Sequence, residues 1–141
     1  MELQVGVKVL LRNEEGKILL LKRAEEKYGK LEGMWDIVGG RIDPGTSLIE
    51  NLEREVREET GLTISSAPRL IAAQDIIISA KERHVVRLTY TAYTKGEPML
   101  DTSENSTFRW HTFEELNVAP DLDRYVRELL NTGLLTADSW D

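Results

Sequence analysis

One segment, Gly40 to Leu62, constrains this chain more than any other. Pro44-Gly45 bars an earlier helix start, Ser47 and Glu50 have the Ser-x-x-Glu spacing of a capping box, and Gly61 supplies a left-handed stop. A helix is therefore expected from Ser47 to Gly61. It follows a glycine-rich loop in which Gly39, Gly40 and Gly45 let the backbone come close to a neighbour. On a wheel of about 100° per residue, Leu48, Ile49, Leu52 and Val56 form one apolar arc. Glu55, Glu58 and Glu59 fall on its flank, while Glu53, Arg54 and Arg57 point toward solvent.

Three carboxylates on one strip repel, at a cost of several tenths of a kcal/mol per pair. They also stand late in the helix, where the macrodipole disfavours negative charge. A cation would offset both costs. Cys is absent, and His84 and His111 are far apart, so hard oxygen ligands favour Mg²⁺ or Mn²⁺ over zinc. The plain alternative is a solvated acidic helix face, the usual reading of a Glu-rich helix. Glycine loops also occur as plain turns, so it is the loop and the acidic helix together, rather than either alone, that point to a site holding metal against phosphate. The formal net charge of -7 argues against binding a nucleic-acid backbone. It also means that a polyphosphate would be repelled unless cations bridged it to the protein.

The remaining pattern is that of one domain over residues 1–141. Val5 to Leu11 and Lys17 to Lys22 read as a hairpin around Asn13-Glu14-Glu15-Gly16, and Arg23 to Gly33 as a charged connection. Trp35 to Val38 reads as a short strand, as do Thr107 to His111; Leu70 to Ser79 and Val85 to Thr94 read as longer ones. A second helix is expected over Asp121 to Leu130, followed by a short tail. This order gives an α+β fold, a mixed sheet with helices on its faces. No apolar run approaches the ~20 residues that cross a bilayer. No signal-peptide pattern opens the chain, and a cytoplasmic location is expected. Arg23, at the end of the second strand, and Tyr28, in the charged connection, are candidate substrate contacts beside Gly39 and Gly40.

The segment resembles the Nudix hydrolase box: Gly, five residues, Glu, seven residues, Arg-Glu, an aliphatic residue, any residue, Glu-Glu, any residue, Gly, an aliphatic residue. Gly40 starts it, Arg54-Glu55-Val56 forms its centre and Glu58-Glu59-Thr60-Gly61-Leu62 closes it. Gly33-Met34-Trp35-Asp36-Ile37 is similar to the family's lead-in strand. Glu104, Phe108-Arg109-Trp110 and Glu114-Glu115-Leu116 are similar to its closing segment. The resemblance implies an α/β/α sandwich and Mg²⁺-dependent hydrolysis of a nucleoside diphosphate linked to another group, with Mn²⁺ as the other candidate ion. It assigns Glu55, Glu58 and Glu59 as metal ligands, Arg54 as the residue that orients them, and Glu58 or Glu104 as the base. A (d)NTP, damaged or not, is placed ahead of a nucleotide sugar such as ADP-ribose, and a homodimer is allowed. The alternative is a nucleotide-binding sensor of the same fold with little or no hydrolysis. Three positions depart from the pattern: Val38 where Pro often stands, Thr46 where the box has Glu, and Asn51 where Ala is usual. Thr46 leaves Arg54 without its usual partner, and Glu50 or Glu58 are the expected substitutes.

Overall fold

The computed structural model describes residues 1–29 and 33–141; Lys30 to Glu32, inside the expected charged connection, lie outside the described residues. The strands are β1 (Glu2–Arg12), β2 (Ile18–Arg23), β3 (Trp35–Asp36), β4 (Val38–Arg41), β5 (Arg69–Ile78), β6 (Arg83–Tyr93) and β7 (Asn105–His111). The helices are α1 (Glu25–Tyr28), α2 (Leu48–Thr60), α3 (Phe113–Asn117) and α4 (Arg124–Thr132). The sheet order is β3-β2-β1-β6-β5, with β4 paired to β1 and β7 to β2. β1 and β6 run parallel from Glu2↔Arg83 to Arg12↔Tyr93, whereas the other pairs are antiparallel, so the sheet is mixed.

Side chains of a strand alternate between faces, and here both faces are covered. Val7, Val9 and Leu11 of β1 and Leu19 and Leu21 of β2 pack with Leu52 and Val56 of α2. Leu10, Ile18 and Leu20 face the other way, onto Leu116, Leu122, Val126 and Leu129 of the α3–α4 region. That is why Ile18 to Leu21 form an unbroken apolar run. The expected α/β/α sandwich is present.

Several local expectations differ. Gly39 and Gly40 belong to β4, paired with Lys8 and Val7, rather than to a loop. Glu25 to Tyr28 form a single helical turn within the expected connection. Ser47 caps α2 by accepting from the Glu50 N–H at 3.2 Å. The reciprocal capping box occurs instead at α3, between Thr112 and Glu115. α4 begins at Arg124, not Asp121, because Asp123 accepts the Tyr125 and Val126 N–H groups as its cap. The tail is packed: Trp140 is buried, donates to the Leu10 carbonyl at 3.1 Å and lies under Arg12.

Candidate active site

Helix α2 lies across β4, and its buried face is Asn51, Leu52, Val56 and Thr60, with Ile49 partly covered. Leu48, expected in the apolar arc, is exposed at the first position of the helix. Glu55, Glu58 and Glu59 follow at the rim of this seam. A Cβ at Gly40 would come within 2.6 Å of Glu55 Oε2, so the carboxylate rests directly on bare backbone. Gly39, at φ 149°, comes closer still to β1: its Cβ would lie 2.0 Å from the Val7 carbonyl oxygen. Each glycine is thus required by a close approach, one by a carboxylate and one by a strand.

A cavity of about 310 Å³ opens here, lined by Tyr28, Gly39, Gly40, Glu55, Glu58, Glu59, Asp101 and Glu104. Burial pushes the Glu59 carboxyl up to about 7, against the opposing pull of Lys8 and of the Gly39 N–H, which it accepts at 3.3 Å; Glu55 and Asp36 add repulsion. Glu104 is different. Hydrogen bonds from Lys27 and Tyr28 hold its carboxyl below the usual range. Asp101, which the sequence reading did not nominate, is also held low by the Ser103 hydroxyl and N–H. Its only local signal is an acid three residues before Glu104; the approach to α2 is long-range.

Among the described residues, no three acidic or imidazole groups already converge into an ion cage. A hard dication does not need one, because Mg²⁺ commonly takes one or two carboxylates and completes its shell with water and phosphate oxygens. The all-oxygen donor set fits such an ion, and Glu59, desolvated without adequate neutralisation, is a group that a cation would relieve.

Beside it lies a larger cavity, about 640 Å³, and Gly39, Gly40 and Tyr28 line both. Its floor is a buried ion network. Asp36 accepts from Lys8 at 3.0 Å, Arg23 at 2.6 Å and Arg87 at 3.3 Å. Asp123 accepts from Arg23 at 3.3 Å and Arg87 at 3.1 Å. Burial alone would raise the Asp36 carboxyl, but Lys8, Arg87 and Arg23 hold it well below the usual carboxylate range. Three cations against two anions leave one positive charge in excess, and Arg87 Nε is buried without a partner among the described residues. Ile76, Ile78, Val85 and Tyr125 supply apolar and aromatic wall.

Of the residues singled out in the sequence, Gly39, Gly40, Glu55, Glu58, Glu59, Glu104 and Tyr28 meet around the smaller cavity. Tyr28 ends α1 and donates to Glu104, so it is not a free loop side chain. Arg23 lines the larger cavity, with donors already committed to Asp36, Asp123 and the Gly33 carbonyl. Arg54 is half-buried rather than turned to solvent. Its principal new partner is Asp43, ahead of both expected substitutes: Glu58 approaches only to 3.9 Å, and among the described residues no Arg54–Glu50 pair forms. Asp36 and Asp123 were not nominated, because nothing local distinguishes a buried charge from a solvated one. Arg87 lies on a strand that could line the pocket, but the sequence does not assign its face, and the structure turns it into the larger cavity.

A NUDIX domain profile matches residues 2–131. A 105-residue stretch is 32% identical to a putative 8-oxo-dGTP diphosphatase of Bacillus subtilis, covering 74% of this chain and 64% of that protein. Nucleoside triphosphatase NudI of Escherichia coli is 30% identical over 135 residues, covering 89% of this chain and 94% of its own. Among solved structures, a MutT protein from Methanosarcina mazei superposes with a TM-score of 0.78 at 28% identity, covering 92% of this chain and 91% of its own. A MutT NUDIX hydrolase from Burkholderia pseudomallei gives 0.76 at 25%, covering 93% and 98%. No helix among the described residues is long and apolar enough to cross a membrane. With Glu55, Glu58 and Glu59 at the box spacing and the match running through nearly every element, the chain belongs to the Nudix hydrolase family, enzymes that act on phosphoanhydride bonds.

Proposed function

We propose that this protein is a Mg²⁺-dependent pyrophosphohydrolase of nucleoside triphosphates, with the phosphates against α2 and the nucleoside in the larger cavity. The observation that carries this reading is the pair of adjoining cavities with opposite electrostatics, joined at Gly39-Gly40. Acid on one side suits a cation-bridged polyphosphate. The other side has about the volume of a small-molecule pocket, an aromatic wall and fixed polar groups.

Glu55, Glu58 and Glu59 hold the ion, and Arg54 orients Glu55. Mg²⁺, when bound, supplies charge neutralisation at the transferring oxygens. Water adds to phosphorus, the anhydride P–O bond breaks, and the displaced phosphate leaves with the bonding pair. The proton lost by the water passes to Glu58 or Glu104. Lys27 and Tyr28 already occupy Glu104, which favours Glu58.

The test is incubation with Mg²⁺ and a panel of canonical and oxidised nucleoside triphosphates, nucleotide sugars and dinucleoside polyphosphates, with product identification. Release of a nucleoside monophosphate from a triphosphate is expected. Metal-dependent binding without turnover of any panel member would establish a sensor instead, and preferential cleavage of ADP-ribose would move the reading to nucleotide sugars.

A further inference from the structure

The box departs from its family pattern at Thr46 and Asn51, and the structure connects the two positions through Asp43. Arg54 does not lack partners. Nη1 donates to the Asp43 carboxylate, Nη2 donates to the Arg41 carbonyl at 3.2 Å and to Glu55 Oε1 at 3.0 Å, and Nε faces Glu58 at 3.9 Å. The guanidinium therefore joins the β4–α2 loop to the carboxylate that rests on Gly40.

Asp43 is exposed, and an exposed ion pair by itself fixes little. What fixes Asp43 is Asn51, which is 0% exposed. Asn51 Oδ1 accepts the Asp43 N–H at 2.9 Å, and Nδ2 donates to the carbonyls of Thr46 at 3.0 Å and Ser47 at 2.6 Å. A single side-chain amide thus ties both ends of the 43–47 loop to the buried face of α2. An alanine at 51 would make none of these bonds. A glutamate at 46 would offer Arg54 a carboxylate directly and make the clamp unnecessary.

We propose that Asp43 and Asn51 are positioning residues that jointly replace the missing box carboxylate. Asn51 sets the loop, the loop delivers Asp43 to Arg54, and Arg54 holds Glu55 in place for the metal. The inference rests on the hydrolase reading for its kinetic test, but metal binding tests it separately.

In Asp43→Asn, kcat is expected to fall about 10–100-fold, as for other groups that orient a metal ligand. KM should stay within about twofold, since the substrate's own contacts are untouched. Mn²⁺ affinity, titrated calorimetrically without nucleotide, should weaken about 10-fold. Thr46→Glu alone should change kcat by less than about threefold, yet restore most of the loss in the Asp43→Asn background. Asn51→Ala should resemble Asp43→Asn, and the two together should be no worse than either. If Asn51→Ala does not fold, Asn51→Asp keeps the acceptor, loses the donors and gives the same reading. A folded Asp43→Asn with wild-type kcat and Mn²⁺ affinity overturns the inference. So does a tenfold gain from Thr46→Glu alone, a failure of Thr46→Glu to rescue, or additive losses at 43 and 51. If the wild type cleaves no nucleotide, the functional reading fails, while the Mn²⁺ titrations of the same variants still decide this one.

Discussion

The two cavities, which share Gly39, Gly40 and Tyr28, hold carboxylates in opposite electrical states. Glu59 is buried with too little positive charge around it, and its carboxyl is pushed up to about 7. Asp36 is buried more deeply, yet three cations hold it ionised. Burial disfavours both charges equally in kind; the difference lies in the partners. The Asp36 side is therefore neutralised by its own protein partners, whereas Glu59 is a group that a bound cation would relieve.

The comparison breaks most sharply at Glu58. Glu58→Gln is expected to lower kcat by about 10³-fold while the fold survives, because it removes the carboxylate proposed both to hold the ion and to act as the base. Circular dichroism and steady-state rates check this, and activity within threefold of wild type would take Glu58 out of the site. On the other side, Asp36→Asn leaves Lys8, Arg23 and Arg87 crowded around a neutral amide. Urea unfolding should register a loss of about 3–5 kcal/mol. A loss below about 1 kcal/mol would mean that water in the cavity already screens those cations.

The smallest effect concerns Glu59 and pH. Its folded value, about 7, is above its ordinary 4.5, so the folded state favours the protonated form. That contribution is fully present below 4.5 and is lost as pH rises through 7. Without metal, wild-type Tm should therefore fall between pH 5 and 8. Glu59→Gln should flatten that slope, raising Tm at pH 8 by about 2–5 °C and leaving it unchanged at pH 5. Parallel pH profiles for the two proteins would remove Glu59 as the cause.

Much of the fold was legible because its signals are local. Ile18 to Leu21 announce a strand covered on both faces, and Ser47 and Gly61 bound α2 at the expected ends. The same wheel that placed Glu55, Glu58 and Glu59 at a seam misplaced Leu48 and Arg54. It treats every position of the arc alike, whereas Leu48 at the first helical position stays exposed while Ile49 and Asn51 of the same turn are covered, and it cannot see a loop folding back to engage Arg54. Gly39-Gly40 looked like a loop because glycine weakens strand propensity. Pairing with β1 overrides that preference, and the same bare backbone admits Glu55 from above.

By itself the sequence determined the family, the α/β/α layers, the three helix carboxylates and the need for a cation on an acidic protein. The family and its layers follow from the resemblance carried by the box, the carboxylate strip from spacing along one helix, and the cation from charge balance, none of which requires knowledge of what lies across the fold. Only the tertiary structure decided that Arg54 pairs with Asp43 on a loop tied down by Asn51, that Glu104 is held by Lys27 and Tyr28, and that Asp36, Asp123 and Arg87 line a second cavity. Each of these depends on which distant groups share a desolvated space, and that is fixed by packing rather than by order along the chain.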